Sequence, residues 1–173
     1  MYESGNRYEG DWKNNKKHGI GKMKYINVGE YQGYWENGHR HGEGIFTYAN
    51  GDVYSGWWRF GNKHGTGTYS FSKNGMKLYG VWEEGNLKVS KWIFPNGTFY
   101  QGGFENNKPS GAGEWHFENG NTVKGSFSQK KKEEEEEEDL GEGQVPKPKF
   151  DVSWATDTGI AHSAAQINTV EQF

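Results

Sequence analysis

A chain of 173 residues suits one domain, or one repeat array with a tail. Its formal charge of −3 conceals a split, with 15 basic and 12 acidic side chains up to residue 127 and 5 and 11 after it, a balance that does not point to nucleic acid. Only 31% of residues are hydrophobic and none is cysteine, which excludes a thick aliphatic core, disulfides and thiolate catalysis; no apolar run approaches a membrane span, and the N-terminus lacks a signal-like apolar region.

In chain order, the phrase Tyr-x-Gly-x-Trp, intact or degraded, starts at Tyr8, Tyr31, Tyr54, Leu78, Tyr100 and Val123, at intervals of 23, 23, 24, 22 and 23 residues. A period of this size means a repeat architecture. The first three units also carry His-Gly-x-Gly, at His18, His41 and His64. The fourth lacks that element, the fifth has Ser110 for the histidine, and the sixth stops early. Within a unit the residues alternate with period two, the mark of a strand. Tyr31, Gly33 and Trp35 take one face, and Gln32, Tyr34 and Glu36 the other. Asn37-Gly38 reverses the chain, Gly42, Gly44, Phe46 and Tyr48 return to the first face, and Asn50-Gly51 leads into the next unit. Each unit is therefore expected to be one β-hairpin. The hairpins should join as an elongated, single-layer antiparallel meander over residues 1–127, all-β, with glycines leaving room for neighbouring rings. The degraded fourth unit, one residue shorter and carrying Pro95, is expected to bend or change its twist around Leu87–Pro95, dividing the array into two straighter parts.

Beyond the array, residues 128–149 read as a charged linker containing Glu133 to Glu138, and 150–173 as an irregular docking extension with Phe150 and Trp154.

The phrase Tyr-x-Gly-x-Trp with His-Gly-x-Gly resembles the MORN (membrane occupation and recognition nexus) repeat. Within that family the chain is similar to the MORN-bearing component of the radial spoke head of cilia and flagella. The features behind this are the extra residue in the third unit, the degraded fourth, the fifth reading Phe104 to Trp115, the glutamate run and Val145-Pro146-Lys147. The resemblance implies a non-enzymatic scaffold in a multi-subunit complex with other radial spoke head proteins, in the cytoplasm and axonemal cytoskeleton. It implies no nucleic-acid partner and no cofactor. MORN repeats are also linked to phosphoinositide membranes, which makes a lipid-binding adaptor the alternative.

The residues supply no catalytic constellation: there is no nucleophile elbow and no phosphate loop, and the Gly-x-Gly pairs recur at repeat spacing. The recurrent histidines are expected two strands apart, about 9.6 Å, too far to share one metal ion. Two surfaces are candidates for binding. Tyr8, Trp12, Tyr31, Trp35, Phe46, Tyr48, Tyr54, Trp58, Tyr69 and Phe71 share one face, read either as a partner-binding groove or as internal packing. Lys16, Lys17, Arg40 and Lys63 recur beside the turns, read either as a basic edge for an acidic partner or lipid, or as a solvated edge.

Overall fold

The computed structural model describes residues 5–131, 150–157 and 161–162. Thirteen strands follow one another in chain order in a single antiparallel sheet that does not close on itself. They are β1 (Arg7–Lys13), β2 (Lys16–Tyr25), β3 (Gly29–Glu36), β4 (His39–Tyr48), β5 (Val53–Arg59), β6 (Asn62–Ser70), β7 (Lys77–Glu83), β8 (Asn86–Ile93), β9 (Phe99–Glu105), β10 (Lys108–His116), β11 (Thr122–Lys131), β12 (Phe150–Thr156) and β13 (Ala161–His162). No helix occurs among the described residues.

Hairpin turns explain the regularity. Asn14-Asn15, Asn37-Gly38, Phe60-Gly61, Glu84-Gly85 and Asn106-Asn107 all have positive φ at both residues, the geometry that matches strand twist in two-residue loops. Between units, an asparagine side chain accepts the backbone N–H two residues on. Asn50 serves Asp52, Asn74 serves Met76, Asn96 serves Thr98 and Asn119 serves Asn121, at 3.0–3.1 Å. The extra residue of the third unit lies in its turn, between Phe71 and Met76, so β6 and β7 pair without a register shift.

The His-Gly element builds a bulge. Between Gly33–Gly44 and Trp35–Arg40, β4 contains two residues more than β3, and β2, β6 and β10 repeat the feature against their own partners. Its glycines, Gly19, Gly42, Gly65 and Gly111, have φ of 58–71°, a region that side chains disfavour. In the fourth unit β8 carries only one extra residue, which absorbs the shorter repeat. Pro95 sits in the turn after β8 and removes no ladder bond; β8 and β9 pair without a shift. The β8–β9 ladder thus shows no disturbance at this proline.

At the far end β11 continues to Lys131, past the boundary read at residue 127, because Ser128 and Gln129 find partners there. The Ser128 and Ser153 hydroxyls lie 2.7 Å apart, and Gln129 Nε2 donates to the Glu105, Lys108 and Pro109 carbonyls. Within the extension, Phe150–Thr156 forms β12, which pairs with β11 and buries Trp154 opposite Phe127. The glutamate run and residues 163–173 lie outside the described residues.

One buried carboxylate ties two inter-unit turns together. Asp52 accepts from the Ser72 N–H and hydroxyl at 2.8 and 3.1 Å, and from Tyr69 Oη and Asn50 Nδ2 at 2.9 Å. Burial pushes this carboxyl up, but the four hydrogen bonds outweigh it and hold it below its ordinary value. Its contribution is present above about pH 4 and is lost as pH falls through the depressed value. Asp52→Ala should cost about 2–3 kcal/mol in urea unfolding at pH 7, because the Tyr69 hydroxyl and Ser72 N–H lose their acceptor.

Candidate functional site

The inner face is a ladder of alternating rings. Trp12, Tyr8, Trp35, Tyr31, Trp58, Tyr54 and Trp82 meet edge to face in that order, with centroids 5.1–5.4 Å apart. Each tyrosine thus packs between the tryptophan of its own unit and that of the next. Its hydroxyl donates to the carbonyl three residues on, from Tyr8 to Asp11, Tyr31 to Tyr34 and Tyr54 to Trp57. The tryptophan N–H crosses the seam between units. Trp35, Trp58 and Trp82 donate to the carbonyls of Gly21, Gly44 and Gly67, the second glycines of the preceding His-Gly-x-Gly elements. Those glycines lie beneath tyrosine rings, where a Cβ has no room.

A repeat of this construction matches a known family model, that of the MORN repeat, over residues 8–27, 31–53, 54–76 and 100–122. The chain belongs to the MORN repeat family. The fourth unit, which lacks both glycines of the element, is not matched, whereas the fifth, which keeps both behind Ser110, is. No curated protein matches the chain. Among solved structures, it is similar to the SAS-4 (dCPAP) TCP domain of Drosophila melanogaster, solved with a proline-rich motif of Ana2 (dSTIL). The identity is 12%, the match covers 83% of this chain and 82% of that one, and the TM-score of 0.39 carries no inference about this chain.

This MORN array spends most of its expected aromatic groove internally. Tyr31, Trp35, Phe46, Tyr54, Trp58 and Phe71 are buried within the chain itself, Tyr8, Tyr48 and Tyr69 are half-buried, and only Trp12 is exposed. Of the two readings of that face, internal packing describes the six buried rings. The basic positions likewise differ from an open edge. Lys17, Arg40 and Lys63 fold over the tryptophan of the following unit, Trp35, Trp58 and Trp82, at 4.4, 4.4 and 4.3 Å from the ring centroids. Arg40 also donates to the Gly61 carbonyl at 2.6 Å. Of the four basic residues only Lys16 is exposed. At the same register position the fourth and fifth units have Leu87 and Pro109, both fully buried.

The larger accessible apolar surface is on the outer face. Ile20 stands opposite Tyr34, and Thr66 opposite Val81, which in turn faces Val89. Between these pairs, Trp57 lies opposite Glu43. Tyr34 and Trp57 lean over the bulge glycines Gly42 and Gly65, so the His-Gly element shapes both faces. Ile20, Tyr34, Trp57, Val81 and Val89 are each about half exposed, 48–58%. The signal was in the sequence: the residue between Gly and Trp of the repeat phrase is Tyr34, Trp57 and Val81 in the middle units. The face nonetheless reads as polar, because Gln32, Glu36 and Ser55 share it. His18 and His41 lie in the bulges and His64 borders one, opposite Trp57, and His41 Nδ1 is 3.3 Å from Glu36 Oε2.

Buried titrating groups give a pH signature. Burial, then the Arg40 charge, lowers the Lys63 amine from 10.5 to about 8. The folded state therefore binds this proton more weakly than the unfolded chain, and stability should rise as pH climbs from about 8 towards 10. Burial raises Tyr31, Tyr54 and Tyr69, and brings Tyr100 to about 12 from 10.0. Their contribution is present below pH 10 and is lost above it as the unfolded chain deprotonates. Chemical unfolding across pH 7–11 should show a maximum between about 8 and 10. Lys63→Met should flatten the rise and leave the alkaline fall.

Proposed function

We propose that this chain is a non-enzymatic structural scaffold, and that its assembly is the axonemal radial spoke head, where it binds neighbouring spoke-head proteins and supports motility. The scaffold reading is carried by the half-exposed apolar row on a hydrogen-bonded sheet: Tyr34, Trp57 and Val81 repeat along the array and stay about half exposed among the described residues. MORN repeats form a non-catalytic repeat family, which agrees with such a role. The spoke-head assignment is supported by the third-unit insertion, the degraded fourth unit, the fifth-unit wording and the glutamate run followed by Val145-Pro146-Lys147.

The test is affinity purification of the tagged chain from ciliated cells, beside a Tyr34→Ser, Trp57→Ser double variant. The wild type should bring down spoke-head proteins and label axonemes, and the double variant should lose at least tenfold of that yield while keeping its circular dichroism. Labelling elsewhere in the cell would contradict the assignment, and an undiminished double variant would contradict the outer row. Because Lys17, Arg40 and Lys63 are committed to tryptophan rings, phosphoinositide vesicles should not sediment the chain at physiological salt.

A further inference from the structure

The outer row has a symmetry of its own about β5. Trp57 stands at its middle, half exposed. One strand away on either side is a polar residue, Glu43 on β4 and Thr66 on β6. One strand further are Tyr34 and Val81, and beyond them their ladder partners Ile20 and Val89. Read from either end, the row across β2 to β8 is apolar, apolar, polar, tryptophan, polar, apolar, apolar. Glu43 and Thr66 are both exposed, and neither side chain has a hydrogen-bond or ion-pair partner among the described residues.

We infer that this row is one half of an isologous interface, and that its occupant is a second copy of the chain. The two sheets lie outer face to outer face, about 10 Å apart, related by a two-fold axis that runs parallel to β5 past Trp57. Such an axis reverses the order of the strands and preserves position along them. Trp57 then meets Trp57, Tyr34 meets Val81 and Ile20 meets Val89, while the Thr66 hydroxyl of one copy donates to the Glu43 carboxylate of the other. Each polar interruption thus gains the partner it lacks within its own chain. In the row nearest the inter-unit turns, which the register carries continuously from Glu30 to Lys77, those two opposite charges face each other across the axis. Lys22 and Lys91 come together only at the rim. Each is already engaged, with Glu30 at 2.7 Å and over the Phe99 ring at 4.1 Å. An axis along the row instead would set Glu43 on Glu43, like charge on like.

Ile45 and Tyr79, 48 and 51% exposed, widen the apolar strip. With the polar residues between, the face offers on the order of 800 Å² per copy, what a standard interface buries on each side. Because the strip is interrupted twice, the dimer is weak, with a dissociation constant on the order of 10 µM. Well below that concentration the chain is a monomer with Trp57 in water. This inference deepens the scaffold reading and rests on it, naming a second copy as the neighbour that the outer row meets.

Sedimentation equilibrium of the full chain should show monomer below about 1 µM and dimer above about 100 µM. Trp57→Ser should weaken self-association roughly tenfold or more. Glu43→Lys and Thr66→Glu should each weaken it as well. Combined in one chain, they should restore it to within about threefold of wild type, because the axis brings the two positions together with opposite charges. All three positions are exposed, so every variant should keep wild-type circular dichroism. A monomer at about 300 µM, far above the expected midpoint, would overturn the inference, as would an undiminished Trp57→Ser or a paired variant without rescue. Affinity purification from ciliated cells separates it from the reading on which it rests. A chain that is monomeric in the centrifuge yet brings down spoke-head proteins loses the second copy and keeps the scaffold; a dimer that brings down none of them keeps the second copy alone.

Discussion

Trp58→Ala should lower the unfolding free energy by about 3–5 kcal/mol, whereas Trp57→Ala, one residue away, should change it by less than about 1 kcal/mol. The two indoles are on opposite faces of β5. Trp58 is 3% exposed, lies against the Tyr31 and Tyr54 rings and under Arg40, and donates to the Gly44 carbonyl. Alanine there leaves a cavity, an unpaired carbonyl and an arginine with no ring beneath it. Trp57 is half exposed, and its loss mainly removes surface that already meets water. Guanidinium unfolding followed by far-ultraviolet circular dichroism gives both numbers. Equal losses at the two positions would mean that both faces are packed.

Gly44→Ala should cost about 1–3 kcal/mol although it adds a single methyl group. Its Cβ would lie 2.5 Å from carbons of the Tyr31 ring. That ring cannot retreat, because Trp35 and Trp58 hold it edge-on from both sides at 5.2 and 5.3 Å, and its hydroxyl is anchored on the Tyr34 carbonyl. Ser55→Ala, on the outer face of the neighbouring strand, is the control and should change stability by no more than about 0.5 kcal/mol. The comparison separates steric conflict from a general effect of substitution in the sheet.

Strand order and turns were legible because they depend on local signals. Period-two alternation set the faces, and Asn37-Gly38 and Asn50-Gly51 marked reversals whose positive φ the side chains tolerate. What was less legible is how a single sheet buries its rings. The route is inter-unit: a tyrosine under two tryptophans, a glycine beneath it, and a cation above the next indole. Arg40 shares parity with Gly42, Gly44 and Phe46, which already placed it on the inner face. Its position beside a turn suggested an edge instead, because spacing alone does not show which way a long side chain folds. The same difficulty concealed the outer row, where Tyr34 and Trp57 alternate with Gln32, Glu36 and Ser55 and so read as a polar strand face. The extension was harder still: nothing in the local pattern of Phe150 to Thr156 names β11 as its partner across a long sequence separation.

The inner rings are core, and the outer row is the surface proposed to meet partners. Oxidative footprinting of the individual tryptophans by mass spectrometry tests this division most directly, first on the free chain and then on the chain in its purified assembly. The free chain should be oxidised rapidly at Trp12 and Trp57 and slowly at Trp35, Trp58 and Trp82, and in the assembly Trp57 should become protected while the inner three do not change. Rapid oxidation of Trp35 and Trp58 in the free chain, relieved on assembly while Trp57 stays reactive, would instead make the inner groove the binding surface.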